Sequence, residues 1–187
     1  DILSEPEIPE KRIYANLLWH FGRGIAFARK HNIVKAQGEL IQLQKNMQDP
    51  QMLDHPPAFN AAIAGAEVAE KMLEAIIAEE NDDINKSVLL LEVAKKREDA
   101  MLYNEPKDWL LPVRQYLGSA LLKAARYKEA DRILKEDLKQ NPENGWALNG
   151  LAASMIIQKK KAESIKLQQR AQKAFERSDV KITAPVF

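Results

Sequence analysis

The chain has 187 residues, 45% of them apolar and 29% charged, which supplies enough apolar surface for a buried core. Its 28 basic and 27 acidic residues leave a formal charge of +1, so no strong overall field attracts nucleic acid or anionic lipid. The sequence contains no cysteine, which excludes disulfides, thiolate metal ligands and thiol nucleophiles.

Targeting signals are not visible in the sequence. No apolar run approaches the roughly 20 residues that a membrane-spanning helix needs, and the first residues lack the pattern of a signal peptide. We therefore expect a soluble protein, favour the cytoplasm and predict no membrane partner. Because the chain starts at Asp1 rather than at a methionine, we also expect it to be a fragment of a longer chain.

Helical periodicity dominates the first part of the chain. Pro6 and Pro9 lie in an extended lead-in, and an apolar stripe then runs from Ile13 to Ala28. Three prolines between residues 49 and 57 predict a loop, because proline lacks the amide hydrogen that a helix needs. The Asn-Asp-Asp turn that ends at Asp83 offers capping side chains. The predicted helices cover about 13–31, 34–47, 58–80 and 84–101.

The second part of the chain predicts four more helices. Asp108 is expected to cap the fifth helix with Pro112 in its first turn, Pro142 ends the sixth, and Asn144 caps the seventh. Three lysines from Lys159 precede the eighth, and the tail 181–187 is too short to form an element. Because no segment alternates like a half-buried strand, we predict an all-α single domain over residues 1–187. Its four helical hairpins are expected at about 10–48, 58–101, 108–141 and 144–178.

Small residues recur at a spacing of 12 in every predicted hairpin. Two helices approach most closely where a side chain is nearly absent, so a small residue on each helix favours a tight crossing. A period of about 34 residues, seen between the last two pairs, is typical of helix–turn–helix arrays. The pairs predicted to pack are Gly24 with Ala36, Ala75 with Ser87, Gly118 with Ala130, and Ala152 with Ser164.

This pattern resembles the tetratricopeptide repeat. The third hairpin matches best, since motif stations hold Leu117, Gly118, Ala130, Leu134 and Pro142, while Arg114 and Asp137 depart from the motif. The resemblance implies an α-α superhelix, or solenoid, of about four hairpins. Residues 19–27, 105–118 and 136–151 are also similar to the C-terminal part of a group of bacterial tetratricopeptide-repeat proteins of unassigned biochemistry, which implies further repeats before Asp1.

In such a superhelix the first helix of each hairpin lines a concave groove. Aromatic and amide side chains with a few charges suit an extended peptide or a partner helix. The carboxylate clamp of some tetratricopeptide domains is not reproduced here. The motif register predicts a partner-binding groove formed by Phe21, Met72, Gln115, Ser119, Lys123, Trp146 and Asn149.

Candidate catalytic and ligand-binding patterns are weak. His20, His31 and His55 do not have the spacing of zinc ligands, and the glycines around Arg23 do not follow a strand as a phosphate loop would. Glu79 and the acidic residues after it are expected to be solvated caps. The lysine clusters lack interleaved aromatics for base stacking. We predict no metal, no cofactor and no nucleic-acid partner.

Three functions remain open from the sequence. The first is a protein-protein interaction scaffold that binds a peptide or a partner helix without catalysis. The second is a structural role, in which these repeats pack on upstream repeats or self-associate. The third is part of an enzyme whose site the missing repeats complete, with His20 and Arg114 as the residues of interest.

Overall fold

The fold is all-α, as predicted, in a computed structural model that describes residues 2–55, 58–179, 182, 184 and 186. These residues form eight α-helices, one short 3-10 helix (Pro50–Leu53) and no strand. Pro56 and Pro57 of the predicted loop lie outside the described residues. None of the described helices is long and apolar enough to span a bilayer. The helices are α1 (Ile13–Arg29), α2 (Ile33–Asn46), α3 (Ala62–Glu80), α4 (Ile84–Ala100), α5 (Val113–Lys123), α6 (Tyr127–Gln140), α7 (Gly145–Ile157) and α8 (Lys161–Ala174).

The chain divides into two compact units, Asp1–Leu111 and Pro112–Phe187, where the sequence predicts a single domain. In the first unit α1 packs on α2, and α3 packs on α4 as well as on both helices of the preceding hairpin. In the second unit α7 packs in the same way on α5, α6 and α8. Each unit therefore contains two stacked helical hairpins, the arrangement expected of helical repeats.

The turns inside the four hairpins share one conformation. In each turn, the main-chain N–H of the second residue after the C-cap of the first helix donates to a carbonyl five residues earlier. Examples are Asn32 N to Phe27 O (2.9 Å) and Lys160 N to Met155 O (2.8 Å). This pattern satisfies carbonyls at the end of the first helix and requires a residue with positive φ. In all four turns the residue with positive φ is not a glycine. The four residues are 51, 43 and 34 positions apart, the same spacings as those between the small residues Gly24, Ala75, Gly118 and Ala152. They are His31, Asp82, Ala125 and Lys159, with φ of 55°, 61°, 57° and 61°.

Helix starts agree with the sequence where a capping side chain is present. Asp83 accepts a hydrogen bond from the Lys86 amide (3.1 Å), and Asn144 from the Trp146 amide (3.1 Å), which confirms both predicted caps. Two other starts are corrected. Helix α3 begins at Ala62 rather than near 58, because Ala61 before it is extended, and α5 begins at Val113, directly after Pro112.

The eight small residues of the repeat are all buried, but they have different close neighbours. A methyl group added at Gly24 would come within 2.6 Å of the Leu73 side chain on α3, which belongs to the next hairpin. One added at Gly118 would come within 2.6 Å of Leu134 Cγ on α6, inside its own hairpin. The Ser164 hydroxyl donates to the Ala152 carbonyl (3.0 Å) across the last hairpin. Small residues thus permit close approach both within and between hairpins.

Candidate functional site

The groove positions predicted in the first unit do not line an open surface. Met72 has no exposed area and Phe21 is 5% exposed. The Phe21 ring packs on Trp109, with 5.5 Å between the ring centroids. The Trp109 indole N–H in turn donates to the Leu111 carbonyl (2.7 Å). Both predicted groove residues are therefore part of the hydrophobic core of this unit, which corrects the prediction for them.

The segment after α4, residues 102–111, covers Phe21 because Asn60 holds it in place. The Asn60 amide donates to the Leu102 carbonyl (2.8 Å) and accepts from the Leu102 amide (2.8 Å). It also donates to the Asp108 carboxylate (2.6 Å), which accepts from Asn104 as well (2.8 Å). Asp108 is thus not the cap of the fifth helix, as the sequence predicts, but an anchor of this segment. A lone asparagine in a loop gives no sequence signal for such a contact.

The anchor predicts a pH dependence. Hydrogen bonds from Asn60 and Asn104 lower the pKa of the Asp108 carboxyl below its ordinary value. A lowered pKa in the folded state stabilises the fold above the ordinary value of about 4, and this contribution is lost as the pH falls through the lowered pKa. We expect the Asp108 carboxyl carbon, followed by NMR, to titrate below its ordinary pKa, and Asn60→Ala to shift that titration upward. An unchanged titration in Asn60→Ala would contradict the anchor.

His20 belongs to an ion cluster inside the first hairpin. Its Nδ1 lies 2.6 Å from Glu39 Oε2, and Arg23 Nε donates to Glu39 Oε1 (2.8 Å). The Arg23 guanidinium also lies over the Trp19 ring, 4.4 Å from its centroid. A shallow pocket of about 410 Å³ next to this cluster is lined by residues of the first unit, Lys35 among them. Since Glu39 on α2 already contacts both His20 and Arg23 on α1, the cluster joins these two helices.

Other candidate chemical groups also have structural partners. Glu79 and Glu80 each accept a hydrogen bond from Arg29 Nη1 (2.7 Å), so they connect α3 to the end of α1. Arg114, in the second unit, is buried with its Nε 3.8 Å from Glu136 Oε2. Among the described residues no group of three or more histidine or acidic side chains is placed to hold a metal ion.

In the second unit the predicted groove residues lie on α5 and α7. Gln115 and Ser119 of α5 are buried, and Lys123 at its end is exposed. Trp146 and Asn149 of α7 are partly buried. The Trp146 ring contacts Phe175 edge-on, with 5.5 Å between centroids. Thus Lys123, Trp146 and Asn149 retain accessible surface, whereas Gln115 and Ser119 are buried, which corrects the groove prediction for these two.

A buried carboxylate positions the start of α7. Asp137 has no exposed area and accepts hydrogen bonds from the side-chain amides of Asn141 (3.0 Å) and Asn144 (2.7 Å). Asn144 uses its amide oxygen to cap α7 through the Trp146 N–H. The departure from the repeat motif at Asp137 therefore orients the cap next to Trp146.

The tail contributes a contact that the sequence does not predict. The Asn149 side-chain amide donates to the main-chain carbonyl of Ile182 (3.2 Å). A hydrogen bond from a side-chain amide to a main-chain carbonyl does not depend on the side chain of the residue that is bound. Such a contact is therefore compatible with many peptide sequences. We refer to Trp146 and Asn149 as the α7 face. The three-residue spacing of Trp146 and Asn149, about one helical turn, is the sequence signal that places both on one side of α7. The sequence of the tail gives no signal that it contacts this face.

Comparison with known proteins assigns the chain to no family. No family model matches the chain, and no curated protein matches it. One solved structure, titled "MamA MSR-1 C2", is similar at 21% sequence identity and a TM-score of 0.38, with 87% of this chain and 98% of that chain covered. The assignment to helical-hairpin folds therefore depends on the eight helices and their packing within each unit.

Proposed function

We propose that the chain is a protein-interaction module that holds an extended segment of a partner on the α7 face, without catalysis. The observation that carries this proposal is the hydrogen bond from Asn149 to the Ile182 carbonyl. This hydrogen bond supports the proposal because it is already a contact between the α7 face and the main chain of an extended segment. Trp146, partly buried against Phe175, offers an apolar contact one helical turn away.

The partner is expected to bind chiefly through its main chain. Asn149 can donate to a carbonyl whatever residue carries it, and the neighbouring aromatic ring favours an apolar side chain beside it. The tail and a partner would compete for the same amide. The tail segment itself is therefore a suitable first probe.

The test uses a labelled peptide of residues 179–187 and a chain shortened after Asp179. We expect the peptide to bind, and Asn149→Ala to weaken binding about fivefold, since one hydrogen bond contributes about 1 kcal/mol. Fluorescence anisotropy measures the affinity. Asn85→Ala, at an exposed position of α4, is the matched control and should leave it unchanged. Equal affinity of the two variants, or no binding of the peptide, would refute the proposal.

A further inference from the structure

The two units carry opposite charge. The second unit, residues 112–187, has 15 basic and 8 acidic residues, a formal charge of +7. The first unit, residues 1–111, has 13 basic and 19 acidic residues, a formal charge of −6. The overall charge of +1 does not reveal this difference in charge. The difference appears only when the charges are summed separately on each side of the boundary between the units.

Exposed basic residues of the second unit lie on α6 and α8, where two of the five acidic residues of these helices, Asp131 and Asp137, are buried. On α6, exposed basic residues follow a spacing of 4, 3 and 4, which places them on one side of the helix over about 16 Å. Helix α8 repeats this over a shorter length. Leu138 of α6 and Leu167 of α8 pack on one core cluster that includes Leu151 of α7, so the two helices flank α7. The basic face consists of Lys128, Arg132, Lys135 and Lys139 on α6 and Lys166, Arg170 and Lys173 on α8, all exposed.

Both arginines of this face form ion pairs with glutamates. Arg132 lies 3.3 Å from Glu136, and Arg170 lies 2.5 Å from Glu143. Within the described part of the chain, the lysines of α6 form no ion pair. Like charges one turn apart on a helix repel each other. The α6 lysines therefore leave positive charge that a partner can neutralise.

We infer that the basic face is a second interaction surface, separate from the α7 face, and that its partner is an acidic protein segment. Charge complementarity calls for clustered carboxylates or phosphates. The guanidinium groups, which suit phosphate best, already bind glutamates. Tyr127, at the first position of α6, is the one aromatic residue in the sequences of α6 and α8, so stacking with bases has little support.

Exposed isoleucines on α7 and α8 favour a protein partner. Ile156 and Ile157 in the last turn of α7 are 56% and 50% exposed, and Ile165 near the start of α8 is 44% exposed. They flank the turn that joins the two helices. A protein segment can offer both carboxylates to the lysines and apolar side chains to the isoleucines, whereas a phosphate backbone offers only charge.

The test uses the full chain and a labelled 20-residue peptide with glutamate at every third or fourth position. Binding is measured by fluorescence anisotropy at about 100 mM salt, where charges separated by more than about 10 Å are largely screened. We expect the triple variant Lys128→Glu, Lys135→Glu, Lys139→Glu to weaken binding at least tenfold. The matched control is Lys11→Glu, Lys86→Glu, Lys96→Glu, which makes the same change in charge at exposed positions of the first unit and should change binding less than twofold. Circular dichroism verifies that both variants remain folded.

Several outcomes would overturn the inference. One is equal weakening by the two triple variants, since binding would then follow net charge alone. Another is tighter α6-dependent binding of single-stranded RNA or of phosphatidylserine vesicles, which would assign the face to nucleic acid or to membrane. A salt-sensitive oligomer of the full chain that the α6 variant dissociates would make a second copy the occupant. Absence of peptide binding would also refute it.

Discussion

Gly118→Val is expected to lower the free energy of unfolding of the second unit by about 3 kcal/mol, the upper part of the usual range for overpacking a core. Any side chain at this position meets Leu134, whose Cγ lies 2.6 Å from the site of an added methyl group. Leu134 has no exposed area, so its side chain would have to shift within the packed core. Urea denaturation followed by circular dichroism measures the loss.

Gly38→Val is the matched control, because Gly38 also lies inside a helix. Apart from its chain neighbours and the backbone of its own helix, a methyl group added there meets no described atom within 4 Å. Since glycine is a poor helix former, valine should raise the free energy of unfolding slightly, by up to about 0.5 kcal/mol. Similar effects at the two glycines would show that helix propensity, rather than contact with Leu134, decides the result.

Asp137→Ala is expected to lower the free energy of unfolding by about 3 kcal/mol. The carboxylate is fully buried and binds the amides of Asn141 and Asn144. Hydrogen bonds to a charged group contribute about 1.5–3 kcal/mol each, and buried donors left without acceptors add to the loss. Because Asn144 caps α7, we also expect the Trp146 emission to shift to longer wavelength. Urea denaturation and fluorescence spectra provide the two measurements.

Two other substitutions separate the buried carboxylate from a surface one. Asp137→Asn keeps one acceptor oxygen and should lose less stability than alanine. Glu143→Ala removes an exposed carboxylate that binds Arg170 at the surface, and surface ion pairs contribute little. We expect no resolvable change for it. An Asp137→Ala variant as stable as Glu143→Ala would show that the buried hydrogen bonds do not hold α7.

The burial of the predicted groove residues could not be predicted from the sequence. The repeat register correctly places Met72 and Phe21 on the first helices of hairpins, but it does not predict which other segments pack on those helices. Asn60 and Leu102, which hold the covering segment, stand 42 residues apart. Such a contact depends on how the hairpins stack, and no local pattern encodes it. The accessible residues of the α7 face were predicted in register, whereas their contact with Ile182 was not.

The sequence alone determined the all-α class and the four hairpin turns, because helical periodicity, caps and prolines act over a few neighbouring residues. The tertiary structure decided which partner each small residue meets, as Gly24 meets Leu73 of the next hairpin while Gly118 meets Leu134 of its own. It also decided where the chain divides, and hence that basic residues gather in the second unit. The neighbours of the small residues and the boundary between the units both depend on packing between residues far apart in the chain. Many tertiary arrangements are compatible with the same local pattern, and the burial of large surfaces selects one of them.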